Sequence, residues 1–527
     1  MADGRANDGA QDRPGAAINP RRPPLRRPRT WITIVAAIAV LATTVSWWGP
    51  WRTVRVTCGQ DVLTDGISDI TAKDFLDVQG LIHDENERVI DSGRPWVSIA
   101  VMLPIRTGDP YTLSFLHQIQ GAYITQYWSN HRLDAPDDPT QFSDDAPLIK
   151  LLIADTGREG KEWPETVKQL MSCKDDEHLV AVTGLSPSKE PTQHAINALA
   201  NEGITMVSST ATATDLATNE IAREHHFRVS PNNSDEAAAA IEHLETTTEW
   251  NSASSAKPYK AFLVQNKDNE DTYATDLGDK YRKRFPKDSA AHILRQGVYD
   301  SSKPAAGNAL DDHAESICAN HYSVVFFAGR GDDLRTFLSH LDDQPCGPLT
   351  VISGDDASEL ATPSPKDHLM WDDPENDIEV IYTALATPQA WAEQYRNYIP
   401  VVQRPVDQKR WSGECAQCFP RLFPGTFLDD GDAIMLHDAV LTAVTAVRKV
   451  ATQNKPQPVA DDLFNGINAI TQNDPVRGAS GWIHFEHDAD APAGVPYDKA
   501  VPIMQLKPDS TAELRTLSSR SGTPATR

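Results

Sequence analysis

Two short stretches rich in hydroxyl side chains follow apolar runs and could hold a ligand without covalent chemistry. In ITMVSSTATATDLA, six of the ten residues from Thr205 to Thr214 are Ser or Thr, and Ser208, Ser209, Thr210 and Thr212 directly follow the apolar run. Upstream, HLVAVTGL runs into SPSK with Ser186 and Ser188. Hydroxyls and free backbone N–H groups at adjacent strand ends suit a carboxylate or another small polar group. The same residues also suit helix starts, where Ser and Thr cap exposed N–H groups. Spacing alone leaves both uses open.

Other chemistries lack their motifs. No G-x-S-x-G elbow, no G-x-G-x-x-G after a strand and no phosphate loop occurs, so hydrolase, dinucleotide and nucleotide readings have no support. His225 with His226, and His484 with His487, have no Cys or carboxylate at metal-ligand spacing beside them. No metal or cofactor is expected, and the chain is read as a binder rather than an enzyme. Arg330, Gly331 and Asp332 spell RGD, but they follow an apolar run and open a helical pattern. They read as a strand-to-helix junction with Asp332 or Asp333 as the cap.

The elements that would position these turns alternate. WVSIAVMLPI, PLIKLLIADTG, HLVAVTGL and ITMVSST are separated by helical patterns, and the pattern repeats through HHFRVSP, KAFLVQNKD, HILRQGVYD and YSVVFFAGR. Continuous Val, Ile and Leu runs between amphipathic helices indicate parallel sheets covered on both faces. A single sheet would need about ten parallel strands, near the limit for an open twisted sheet, so two doubly wound sheets are expected. In such sheets ligands sit beyond the carboxyl ends of the strands, where both hydroxyl turns lie. Later, VIYTALATP reads as a strand, and DGDAIMLHDAVLTAVTAVRKV as a long helix with Leu436, Val440, Val444 and Val447 on one face. GASGWIHFEHDADAPAGVPYDKAVPIMQL reads as a hairpin whose last strand closes the fold.

The N-terminus is different material. Residues 1–29 hold seven Arg against three Asp and read as a disordered basic tail, whereas the 22 residues from Thr30 to Trp51 carry no charge. That length spans the hydrocarbon layer, Trp47, Trp48 and Trp51 suit its far interface, and the preceding Arg cluster favours a cytoplasmic start. A cleavable signal peptide would be shorter and end in small residues. The expected arrangement is a single-pass protein of the cell membrane with its C-terminal body extracellular. The net charge of −25 argues against nucleic acid as a partner. All six cysteines fall on the expected outer side, which favours disulfides. Cys318 and Cys346 flank one strand-plus-helix unit and are paired, Cys415 and Cys418 of CAQC form a small closed loop, and Cys58 is left for Cys173.

The order of motifs resembles the type I periplasmic binding proteins, the family of leucine/isoleucine/valine-binding proteins. The matching stretches are VTGLSPSKEPTQHAINALANEGITMVSSTAT, HHFRVSPNNSDEAAAAI, DTYATDL, VVFFAGRGDDLRTFL, LTVISGDD, DAIMLHDAVLTAVTAV and GASGWIHFEHDAD. The resemblance covers roughly 95–507. It implies two lobes joined by three crossovers that close on a ligand. One lobe would be 95–227 with about 352–490, and the other 228–351 with about 491–507. A stalk at 52–94 and a disordered tail at 508–527 complete the expectation.

Carried over by position, Ser186 or Ser188 with Thr210, Ala211 and Thr212 would hold a ligand carboxylate. Tyr273 would cover it, and Asp356 would face an ammonium group. Arg330 stands where the family often has an aromatic, and would favour an additional anionic group on the ligand. Ala274 replaces the family's Gly after the Tyr, and the segments 360–377 and 398–429 are insertions. The implied function is a membrane-anchored extracellular solute-binding protein that delivers a small polar ligand, an amino acid or a related compound, to an ABC permease. The rival reading is a ligand-sensing receptor ectodomain that signals through a partner protein.

Overall fold

The computed structural model describes residues 63–64, 75–105, 112–131, 146–286, 289–361, 371, 376–399, 405–486 and 494–518. The expected basic tail, the membrane span 30–51 and Cys58 lie outside these residues. Among the described residues no helix is long and apolar enough to cross a membrane.

Six strands, β1 (Leu63–Thr64), β2 (Trp96–Leu103), β3 (Leu148–Asp155), β4 (Leu179–Gly184), β5 (Thr205–Ser208) and β6 (His226–Arg228), form the first sheet in the order β1-β3-β2-β4-β5-β6. All of its pairings are parallel except β1 on β3. Further strands β7 (Tyr259–Asn266), β8 (His292–Tyr299), β9 (Val324–Ala328), β10 (Leu349–Ser353) and β11 (Ile378–Thr383) belong to a second sheet. A separate hairpin pairs β12 (Val476–Gly478) with β13 (Gly481–Ile483), and β14 (Val501–Leu506) and β15 (Ala512–Ser518) then return to the second sheet. Its order is β15-β14-β11-β10-β9-β7-β8, with β14 and β15 antiparallel.

Both sheets are covered on two faces, and the two-residue period of a strand divides the cores. In β2, Val97, Ile99 and Val101 face the helices Thr112–Asn130 and Asp432–Val450, while Ala100 and Met102 face Trp163–Cys173 and Glu190–Asn201. In β9, Val325 and Phe327 pack on one side, and Val324 and Phe326 on the other. The helices Thr112–Asn130 and Asp432–Val450 touch at Gly121, where a Cβ would fall 1.9 Å from the carbonyl oxygen of Ala433.

The outer edge of β3 shows how a loose strand edge is closed. Thr64 of β1 pairs only with Ile153. At Leu151, the Asn86 side chain donates to the carbonyl (2.8 Å) and accepts from the N–H (3.0 Å). At Ile149, Asn130 does the same at 2.8 and 2.7 Å. Two side-chain amides thus take the place of a neighbouring strand.

Three expectations about domain limits are corrected. The segment expected as a stalk contains the helix Leu76–Asp91, whose Val78, Ile82 and Val89 join Phe75 in one buried face against the first lobe. β10 and β11 are parallel neighbours in the second sheet, so the chain returns to the first lobe only after Thr383 and not near 352. β15 occupies part of the expected C-terminal tail, pairing antiparallel with β14. Alternation of strands and helices does not encode which sheet a strand joins.

The chain therefore passes between lobes after β6, after β11 and before β14. These segments are tied together: Arg228 N–H donates to Gly494 O (2.9 Å) and Ala384 N–H to Pro502 O (2.8 Å). Gly494 sits at φ +70°, and a Cβ there would lie 2.0 Å from His226 O. Disulfides join Cys318 to Cys346 and Cys415 to Cys418, and Cys173 is also disulfide-bonded.

Replacing Gly121 with Val is expected to lower stability by about 1–3 kcal/mol, through forced separation of two packed helices. Urea unfolding followed by tryptophan fluorescence measures this, and an unchanged midpoint would contradict the close approach.

Candidate functional site

Strand ends of both sheets converge on one cleft. From the first lobe, the residues after β4 bring Ser186 and Ser188, and those after β5 bring Thr210 and Thr212. From the second lobe, Arg330 follows β9, Asp355 and Asp356 follow β10, and Tyr273 lies in the first turn of the helix Thr272–Arg284. The starts of the helices Thr112–Asn130 and Asp432–Val450 add Ser114, Gln118, Asp430 and Asp432. The cleft is narrow and partly open to solvent.

Arg330 is the most heavily bonded side chain of the site. Its Nε and Nη2 donate to the two carboxylate oxygens of Asp271 (2.9 and 2.7 Å), a bidentate fork. Nη1 donates to Asp356 Oδ1 (2.8 Å), and Nη2 also reaches Ser188 O of the first lobe (3.0 Å). The Tyr273 ring lies 4.6 Å from the guanidinium carbon. This corrects the expectation that Arg330 favours an anionic group on the ligand. Two buried carboxylates of the protein already compensate its charge.

Asp356 differs in the same way from its expected role toward an ammonium group. Its second oxygen accepts from Gly331 N–H (2.6 Å) and so caps the helix Gly331–Asp342. That cap was expected from Asp332 or Asp333; Asp333 instead accepts from Tyr299 OH (2.9 Å). Tyr273 OH accepts from Asp356 N–H at 3.3 Å.

Gln118 organises the facing wall. Its Oε1 accepts from Ser186 Oγ (3.3 Å) and Ser209 Oγ (2.8 Å), while Nε2 donates to Asp432 Oδ1 (3.1 Å). His117 meets Asp430 at 2.5 Å. Ser188 Oγ accepts from Ala213 N–H (3.1 Å), and Thr212 donates to Asp355 Oδ1 across the cleft (3.4 Å).

Of the residues singled out from sequence, Ser186, Ser188, Thr210, Thr212, Tyr273, Arg330 and Asp356 line the cleft. Ala211 lies wholly buried behind it, with its carbonyl accepting from Arg228 Nη1 (2.9 Å) and Ser230 Oγ (3.3 Å). Sequence reasoning missed Gln118, Asp355, Ser358, Glu359, Asp430 and Asp432. A buried Gln in an apolar helical pattern was the available signal for the first. The acidic residues had none, since nothing in sequence separates a cleft carboxylate from a solvated one.

Direct bonds already join the lobes. Thr214 N–H donates to Asp276 Oδ2 (2.7 Å), Tyr273 N–H to Ser188 O (3.2 Å), and Glu190 N–H to Glu270 O (3.0 Å). The lobes are therefore closed on each other.

Electrostatically the cleft strains against its own charge. Burial, and then the charge of Asp356, pushes Asp355 up to about 7. Burial lifts Glu359 well above the carboxylate range, with Asp356 and Asp432 adding to it. Asp432 rises likewise from burial and from Asp430. Behind them, wholly buried Glu236 is raised by burial and by Asp355, while its Oε2 accepts from Asp355 N–H (2.9 Å) and Thr383 OH (2.7 Å).

Two lobes of parallel sheet, three interlobe passages and a polar cleft at the strand ends define the type I periplasmic-binding-protein fold. Solved structures agree. An extracellular ligand-binding receptor from Rhodopseudomonas palustris HaA2 superposes with TM-score 0.55 at 14% identity, covering 80% of this chain and 100% of that one. An amino acid ABC transporter substrate-binding protein from Pseudomonas fluorescens Pf-5 gives 0.55 at 10% identity, covering 82% and 100%. An ABC transporter solute-binding protein from R. palustris, solved with benzoate, gives 0.52 at 12% identity, covering 82% and 98%. No protein-family model and no curated protein matches the sequence.

The raised carboxyls set a pH dependence. A group whose folded pKa exceeds its unfolded value favours the folded state when protonated, and that contribution is lost as pH rises through the folded value. For Asp355 the window runs from about 3.8 to about 7. The melting temperature of the ligand-free protein is expected to drop less between pH 5 and pH 8 in Asp355→Asn than in the native chain. An identical drop in both would contradict a strained Asp355.

Proposed function

We propose that this chain is a solute-binding protein that captures a small polar ligand, an amino acid or a related compound, between its lobes and presents it to an ABC-type permease. The segment 30–51 holds it to the membrane as an uncleaved helix, with the body outside the cell. The observation that carries this reading is the polar cleft at the strand ends of both sheets, spanned by three chain passages that can act as a hinge. Solved proteins of this fold support it, among them the substrate-binding protein from P. fluorescens named as an amino acid transporter component. On this reading the site holds its ligand by hydrogen bonds and charge, without covalent chemistry.

The test is a thermal-shift screen of the full-length protein in detergent against amino acids, small peptides, amides and nucleosides. A ligand at about a hundred times its dissociation constant adds roughly 2.7 kcal/mol and raises the melting temperature by a few degrees. A well-folded sample that responds to nothing in the panel contradicts the reading. The anchor has its own test: intact-mass analysis of the membrane fraction is expected to find residues 30–51 retained, and an N-terminus beyond Trp51 contradicts it.

A further inference from the structure

The cleft walls carry five carboxylates, Asp355, Asp356, Glu359, Asp430 and Asp432, against one guanidinium, Arg330. That guanidinium is engaged by Asp271 and Asp356, and Asp430 is engaged by His117. Asp355, Glu359 and Asp432 then face the cleft with no direct ion pair among the described residues, and Arg330 acts on Asp355 and Glu359 only as a nearby charge. Two further observations point the same way. The Glu359 carboxylate makes no hydrogen bond or ion pair with any described residue. Ser358, only 7% exposed, lines the cleft with a hydroxyl that has no partner among them either. Both groups open into the cleft, where a donor and an acceptor on a ligand can reach them.

We propose that the ligand is a small organic cation with two basic nitrogen groups, seated against Glu359, Asp355 and Asp432, in preference to a neutral or acidic solute. The inference rests on the solute-binding reading and sharpens it to a substrate class. The placement of the carboxylates favours an extended organic cation over a metal ion, because among the described residues no three acidic, His or Cys side chains converge to hold one. The raised carboxyls agree with this assignment: each becomes easier to ionise once a positive group stands beside it.

Such a cation could be a basic amino acid or a diamine, and the opposite wall distinguishes them. The N–H groups of Thr210 and Thr212, which line the cleft, have no acceptor among the described residues. They suit the carboxylate of a basic amino acid and offer nothing to a diamine.

Isothermal titration calorimetry on the full-length protein in detergent tests this, using L-lysine, L-arginine, putrescine and agmatine against L-leucine, L-glutamine and L-glutamate. The expected result is that at least one cation binds ten-fold or more tightly than every neutral or acidic probe. Its affinity should also fall at least ten-fold in Glu359→Gln, with Asp432→Asn as the second variant should the first not fold. Amino-acid cations binding without diamines, or both binding, each support the proposal and differ only in whether Thr210 and Thr212 hold a carboxylate. Tightest binding of leucine, glutamine or glutamate overturns the cationic class and leaves the solute-binding reading standing. Binding of no probe overturns the cationic class and leaves the solute-binding reading to the wider thermal-shift panel, and an unchanged cation affinity in both variants overturns the seating.

Discussion

One guanidinium joins the parts of this molecule that a ligand must find together. Arg330 forks onto Asp271, bridges to Asp356, lies over Tyr273 and reaches Ser188 O across the lobe boundary. Its two acidic partners come from the segments before the helix Thr272–Arg284 and after β10, so three separate strand-end connections share one charge. Removing such a buried partner leaves carboxylates uncompensated and costs about 3–5 kcal/mol in measured systems. A lysine could not replace it, since a single ammonium has no bidentate fork for Asp271.

Around that centre, the remaining polar contacts connect the hinge to the cleft. Glu236 opens the helix that follows the first lobe passage, and Thr383 is the last residue of β11 before the second. The carboxyl of Glu236 binds Thr383 and the N–H of Asp355 together. Movement at either passage is therefore felt at the loop that carries Asp355 and Asp356. On the other wall, Gln118 binds the β4 and β5 turns to the start of the helix Asp432–Val450. Each lobe presents a prearranged face, and the energy of closure falls on a few direct bonds between them.

Much of this was legible in sequence. The hydroxyl turns after β4 and β5 and the alternating strands suffice to put Ser186, Ser188, Thr210 and Thr212 at one cleft. Tyr273 and Arg330 were found by motif order, but the bonding of Arg330 was not, because Asp271 lies 59 positions away and nothing local announces the pair. Asp430 and Asp432 come from the start of a helix whose apolar stripe was clear and whose acidic first turn looked like ordinary dipole compensation. In a chain with 74 acidic residues, a cleft carboxylate has no local mark. The lobe limits failed for a related reason: whether β10 and β11 share a sheet depends on packing, and the helix Leu76–Asp91 was hidden by its polar surface.

Arg330 is an internal cation that holds Asp271 and Asp356 of its own lobe and adds one bond across to Ser188 O, and it is not a receptor for ligand charge. Small-angle X-ray scattering of the ligand-free full-length protein, native against Arg330→Gln, tests this most directly, with circular dichroism confirming that both fold. A larger radius of gyration is expected for Arg330→Gln, as the lobe contact through Ser188 O is lost. An unchanged radius, combined with lost binding of an acidic probe such as L-glutamate, would contradict it and return Arg330 to the role of a ligand-binding cation.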